Sequence, residues 1–369
     1  MPPRKSRRLQ TPEDNTECAE VAPSPPKARG PDPNASLALV QLPPELFDAI
    51  IEHFVTLPTT YYYDTSDIPD PQYFERTDAL TALSQTCRAL REITLHRLWA
   101  QLDICRVPPK YRASWYKYVM SAMERKANGM ATSPVRHHVR SLTLIFSKSK
   151  PDAALAALWK MLPQLPNLRK IHVINLKTPG FAKSLTESNL DKFELSEVTT
   201  LFLPTEGSIF QKLCPNATHI RCVGGNGASL LSALTAKTER LDGMLDWTDL
   251  KVIQRLIKNA PNLKSLELRR PVNNGLGIES QRYAPVEWAQ AIPKLAGLKK
   301  LAELTLTFPD SVEGPGDQAS IDAARALMRI TSGPFPVERR LVIRRVLAPH
   351  YVRPDVHQDC VHSSVVETF

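Results

Sequence analysis

Asn262-Leu263-Lys264-Ser265-Leu266-Glu267-Leu268-Arg269 carries apolar side chains at its second, fifth and seventh positions. Leu266 and Leu268 alternate with Ser265, Glu267 and Arg269, and that period of two predicts a half-buried strand. Pro261-Asn262 marks a turn into it. Upstream, residues 246–260 read as a helix with Leu250, Ile253, Leu256 and Ile257 on one face. The same phrase recurs at Val139-Leu142-Leu144, Leu168-Ile171-Val173, Val198-Leu201-Leu203, Ala217-Ile220-Cys222 and Leu301-Leu304-Leu306. Weaker copies stand at Leu241 and at Leu341-Ile343, and Pro-Asn also precedes the copies at Ile171 and Ile220. Further helical stretches lie at 153–162, 286–295 and 319–330. Strand and helix alternating every 20–40 residues or so predict an αβ solenoid over 135–347, each unit burying its apolar face against its neighbours.

N-terminal to this region the pattern changes. Residues 1–36 hold eight prolines and few apolar residues. Such a segment cannot repay its ordering entropy and is expected to be disordered. Its basic cluster, Arg4, Lys5, Arg7 and Arg8, suits an import receptor or simply a solvated tail. Residues 37–105 read as a small helical module. Pro43-Pro44-Glu45 opens a helix, with proline and an acid suited to its first turn. Leu46, Ile50, Ile51 and Phe54 lie on one face of it. A second helix is expected from Asp78 as N-cap, with Leu80, Leu83, Cys87 and Leu90 as one apolar stripe. Prolines 58, 69 and 71 and the run Tyr61-Tyr62-Tyr63 mark a loop at about 56–77 between the two helices.

Three phrases in this module are informative together: Leu42-Pro43-x-Glu45-Leu46, then Leu83-Ser84-x-Thr86-Cys87-Arg88-x-Leu90-Arg91, then Leu98-Trp99-x-x-Leu102. In this order they resemble an F-box. The 56–77 loop is longer than the family's usual connection. The repeats that follow are similar to degenerate leucine-rich repeats. They depart from that family in having Leu176 and Pro271 where it has asparagine, and in uneven spacing between central positions, 29 residues from Leu142 to Ile171 but 19 from Leu201 to Ile220.

The resemblance implies a fold class: an α/β chain with a small all-helical F-box-like module, then an irregular leucine-rich-repeat-like solenoid of parallel strands and outer helices. It also implies a function, the substrate-recognition adaptor of a cullin-type (SCF) ubiquitin ligase. The F-box would dock a Skp-type linker protein and through it a cullin scaffold. Leu42, Pro43, Glu45, Leu46 and Ile50 would carry that docking, with Leu83, Leu90 and Trp99 alongside. The alternative is an interaction scaffold with no part in ubiquitylation. A substrate protein would meet the residues that alternate with the apolar positions. Lys170, His172, Phe202, Arg221, Glu267, Arg269, Arg340 and Arg344 are the candidates, and a solvated strand face is the other reading of each.

The chain of 369 residues carries a net charge of +9, but residues 37–104 sum to −6 and residues 1–36 to +1, leaving +14 on 105–369. A basic repeat region attracts an acidic or phosphorylated protein, although such charge also serves as a solubilising surface. No nucleic-acid motif is present, so nucleic acid is not the expected partner. No catalytic, cofactor or metal motif stands out. Gly224-Gly225-Asn226-Gly227 lacks the Lys-Ser/Thr of a phosphate loop and reads as a turn. Two histidine–cysteine groupings, Cys214, His219 and Cys222, then His350, His357, Cys360 and His362, have loose spacing for zinc. Residues 348–369 are expected to fray as a polar tail. Six scattered cysteines, with no apolar run long enough to span a bilayer, point to a reducing compartment, cytoplasmic or nuclear, and to no membrane partner.

Overall fold

The computed structural model describes residues 34, 37–54, 71–104, 112–146, 151–176, 194–225, 227–244, 249–270, 289–309, 317–330, 338–346 and 361–369. Most of the loop expected at 56–77, the tail 1–33 and residues 347–360 lie outside them. The chain is an α/β protein. Three helices, α1 (Pro44–Glu52), α2 (Glu75–Thr86) and α3 (Arg88–Ala100), precede a ten-stranded sheet whose spatial order is its sequence order. The strands are β1 (Gln101–Asp103), β2 (Ser141–Ile145), β3 (Lys170–Asn175), β4 (Thr200–Pro204) and β5 (His219–Gly224). They continue with β6 (Arg240–Met244), β7 (Ser265–Arg269), β8 (Glu303–Pro309), β9 (Arg340–Val346) and β10 (Val361–Thr368). β1 to β9 run parallel, and β10 returns antiparallel to β9.

Parallel neighbours require crossovers, and those are helical or 3₁₀ where described. They include α4 (Arg112–Thr132), α5 (Pro151–Met161), α6 (Ser208–Leu213), α7 (Leu250–Asn259), a 3₁₀ turn at Ile292–Gly297 and α8 (Asp317–Arg329). One apolar residue per strand lines up across the sheet in register: Leu102, Leu142, Ile171, Leu201, Ile220, Leu241, Leu266, Leu304 and Leu341. All are buried beneath the helix layer in a single core. Every repeat phrase in the sequence, the weak ones included, is a strand of this sheet.

The three Pro-Asn turns do more than turn the chain. The Asn167, Asn216 and Asn262 side-chain amides donate to the carbonyls of His137, Ser196 and Ala236, at 2.6, 2.9 and 2.8 Å. Each therefore ties its own unit to an earlier one. A parallel run of backbone bonds joins the strand entrances, from Arg169 N–H to Arg140 C=O, Thr199 to Arg169, Glu239 to Thr218 and Lys264 to Glu239. Gly243 has φ +77° within β6, and a Cβ there would sit 2.4 Å from the Cys222 carbonyl oxygen. Only glycine accommodates both that conformation and that approach.

Several expectations need correction. The second helix begins at Glu75, so Asp78 lies inside its first turn and not at its cap. Cys87 is extended (φ −153°, ψ 169°) and breaks the expected single stripe into α2 and α3. α7 starts at Leu250 because Asp249 caps it, accepting from the Lys251 N–H at 2.8 Å. The helix expected at 286–295 is, from Ile292, a 3₁₀ turn with Pro293 in its opening turn. Residues 361–368, expected to fray, form β10. Leu102 belongs to β1 and to the sheet core, so the helical module runs directly into the sheet.

Candidate functional site

Two surfaces gather the sequence-predicted residues. The first is α1. Its buried residue is Phe47, which meets Leu80 of α2 and Leu98 of α3, with Ile51, Leu83, Ile93 and Trp99 packed around them. The face expected to carry Leu46, Ile50, Ile51 and Phe54 together is therefore split: Phe47, which that face did not include, and Ile51 turn inward, while Leu46 and Ile50 are 54% and 51% exposed. These two lie one turn apart on the same outward side. Leu37 and Leu39, just ahead of α1, are exposed as well. Pro43 and Glu45 are exposed and Leu42 is half-buried.

The inward side of α1 is held by more than apolar contact. Arg97 Nε and its second terminal nitrogen donate to the two carboxylate oxygens of Asp48, at 2.5 and 3.2 Å. Its guanidinium also lies 5.1 Å from the Phe47 ring centroid. The Asp48 carboxyl sits below its ordinary pKa because of that hydrogen bond. Of the other predicted docking residues, Leu90 is buried. Trp99 is partly buried and packs against both the small helical core and the sheet core. Leu90 and Trp99 hold the module together rather than present a surface.

The second surface is the sheet face opposite the helix layer. His172, Phe202, Arg221 and Asp242 fall in one row across β3 to β6, and Lys170, Thr200, His219 and Arg240 in the next. At the centre is the Phe202 ring. His172 and His219 meet it edge-on at 5.7 and 5.5 Å. The Lys170 ammonium lies 4.1 Å from its centroid and the Arg221 guanidinium 5.9 Å. Cations are attracted to the negative face of a ring, the more so when partly desolvated.

Beside this cluster, Asp242 accepts from Arg240 Nε at 2.9 Å and meets His219 Nε2 at 2.8 Å. Glu267 accepts from Thr307 Oγ1 at 2.8 Å and from Arg269 at 3.4 Å, with Arg221 at 3.9 Å. On the helix side of the sheet, away from this cluster, Asp317 at the start of α8 is paired with Arg270 and, at 3.4 Å, with Arg345. The burial of the face opposite the helix layer was not legible in the alternation. His172, Phe202, Glu267 and Arg269 are buried against their neighbours, and Lys170, Arg221 and Arg344 are half-buried. Arg340 alone of the predicted set on this face is exposed, and it is engaged by Glu338 at 3.1 Å. Asp242 and its partner Arg240 are members the sequence reading missed. Carrying the Leu241 copy through to its flanking residues would have found them.

Burial and two nearby cations, Lys170 and Arg221, push the His172 pKa down to about 3, so its imidazole is neutral at pH 7. Burial, with Arg221 close by, also lowers Lys170. For Asp242, burial works to raise the pKa, but the His219 and Arg240 contacts outweigh it and hold the carboxyl below its ordinary value. A carboxyl depressed on folding contributes stability above its unfolded pKa of about 3.9 and loses it as pH falls through the folded value. The part of the stability difference between wild type and Asp242→Asn that comes from this carboxyl should thus shrink as pH falls below about 4. Urea unfolding across that range checks this, and a difference independent of pH down to acid unfolding would contradict it.

Burial raises the Cys214 and Cys222 thiols to about 12 and about 11, which leaves them protonated at neutral pH. Among the described residues no three His, Cys, Asp or Glu side chains gather as metal ligands. His350, His357 and Cys360 lie outside the described residues, as does the side chain of His362. Among the described residues no helix is long and apolar enough to cross a membrane. No protein family matches the chain, and no curated protein matches it in sequence.

Proposed function

We propose that the chain is a non-catalytic adaptor of a cullin-type ubiquitin ligase, in which the N-terminal helices act as an F-box and the sheet region as an irregular leucine-rich-repeat-like solenoid. One observation carries the reading. α1 buries Phe47 and packs Ile51 against its own module and turns Leu46 and Ile50 to solvent, directly after the Leu42-Pro43 phrase. An amphipathic helix with apolar anchors on its free side is the form taken by helix-in-groove recognition. A Skp-type linker is the partner implied by the motif order. The adaptor would act by raising the effective concentration of a bound protein near the transferring enzyme.

The substrate side rests on the opposite sheet face. Its side chains are held in place by ion pairs and ring contacts, so it offers a preorganised surface. Lys170 and Arg221 give it cationic character around Phe202. An acidic protein segment is the complement we favour there.

The test is a reconstituted ligase reaction with the full chain, purified Skp-type linker and cullin. The adaptor reading expects ubiquitin on the chain only when both linker and cullin are present. A stable complex that transfers no ubiquitin, either to the chain or to bound protein, would overturn it in favour of a scaffold.

A further inference from the structure

The two ends of the sheet are unlike. β1 is three residues long and ends in the acidic Asp103, a short edge of the sort that discourages further pairing. β10 is eight residues long, and positions 363–366 read Ser-Ser-Val-Val. No proline, lysine or arginine interrupts it, and its one acid, Glu367, is occupied by Arg325 of α8 at 2.6 Å.

The backbone direction of each β10 residue follows from one pair. Phe369 and Arg339 exchange both N–H···O bonds, at 2.9 and 3.3 Å. In an antiparallel ladder, bonded residues alternate with outward-facing ones. Glu367, Val365 and Ser363 therefore bond to β9, while the N–H and C=O groups of Thr368, Val366 and Ser364 point away from the sheet. Among the described residues no hydrogen bond meets those outward groups. Side chains alternate too. Glu367 reaches α8, so Val365 stands on the helix side and Val366 on the other, and they are 53% and 58% exposed. This edge thus combines open backbone groups with exposed valines on both faces.

We infer that β10 is a self-association edge, on which a second copy of this chain lays its own β10 antiparallel about a two-fold axis at Val366. In that register Val366 faces Val366 of the second copy, and Ser364 faces Thr368. These are the three residues whose backbone groups point outward, so each outward N–H meets an outward C=O. The match is of a strand to itself, as an isologous interface requires. The facing side chains are neutral, so nothing on the edge repels its own copy, whereas like charges placed opposite each other would. The one acid of the strand, Glu367, is already paired with Arg325, so charge on the edge does not select a strand from another protein. Two sheets joined in this way make one continuous sheet that, among the described residues, ends at each side in a short β1.

The test uses the full chain in sedimentation equilibrium with Val366→Pro and Val366→Lys. Val366→Pro removes only an outward N–H, which edge positions tolerate, and Val366→Lys places a charge opposite its own copy. Wild type is expected at twice the mass of one chain and both variants at the mass of one, with unchanged far-ultraviolet circular dichroism. Under mild oxidation Val366→Cys should cross-link copies, and Ser363→Cys, which faces Phe369 of the second copy, should not exceed wild type. A wild type at the mass of one chain, or variants that remain at twice that mass, would overturn the inference.

Discussion

Glu267→Ala should lower the stability of the chain by about 3–5 kcal/mol, seen as a fall in the urea midpoint with an unchanged slope. Glu267 is 3% exposed in the middle of the sheet. Its carboxylate lies 3.4 Å from Arg269, itself 5% exposed, and 3.9 Å from Arg221. Burial opposes its ionisation, but the Arg269 and Arg221 charges prevail and hold its pKa below the ordinary value. Removing the carboxylate takes a buried counter-charge away from two guanidinium groups that stay in place, and that is costlier than never having built the pair. Lys264–Glu239 provides the contrast. It is closer, at 2.7 Å, but both side chains are about half exposed. Lys264→Ala should change stability by less than about 1 kcal/mol. Equal effects at the two positions would contradict the view that the polar face is a built, buried network.

Phe210→Ala should cost about 3–5 kcal/mol by leaving a cavity between the helix layer and the sheet. Phe210 lies on α6, a helix of six residues, and is fully buried. Its ring packs at 5.9 Å from Phe146 and 6.3 Å from Trp159. It therefore joins the end of β2 and helix α5 to a connection too short to be stable by itself. A thermal melt should show the loss. A change below about 1 kcal/mol would mean that α6 does not share the common core.

Much of the sheet was legible because period-two alternation is a local signal and eight strands carry it. Leu266 and Leu268 announce β7 within five residues. What was missed depended on packing rather than pattern. α4 buries Val119, Met120, Met123, Ala127 and Met130 against the sheet core, but methionine and alanine among polar residues make a weak stripe. β1 is three residues attached to a helix, and β10 is half polar, so neither has a pattern of its own. On α1 the pattern grouped Leu46, Ile50, Ile51 and Phe54 and passed over Phe47. Only the position of Leu80 and Leu98 decides that Phe47 is inside and Leu46 outside. The polar face was placed by register, but its closure was not. A strand-by-strand reading shows which side chains alternate outward, not that Phe202 will be enclosed by His172, His219, Lys170 and Arg221 from adjacent strands.

The docking claim is tested most directly by titrating purified Skp-type linker into the full chain and into its Leu46→Glu, Ile50→Glu double variant by calorimetry. Both side chains are more than half exposed, so the variant should melt within a degree or two of wild type. The account predicts saturable binding to the wild-type chain and at least about a hundredfold weaker binding to the variant, the loss expected when two apolar anchors become charged. No binding to the wild type, or equal binding to both, would contradict it.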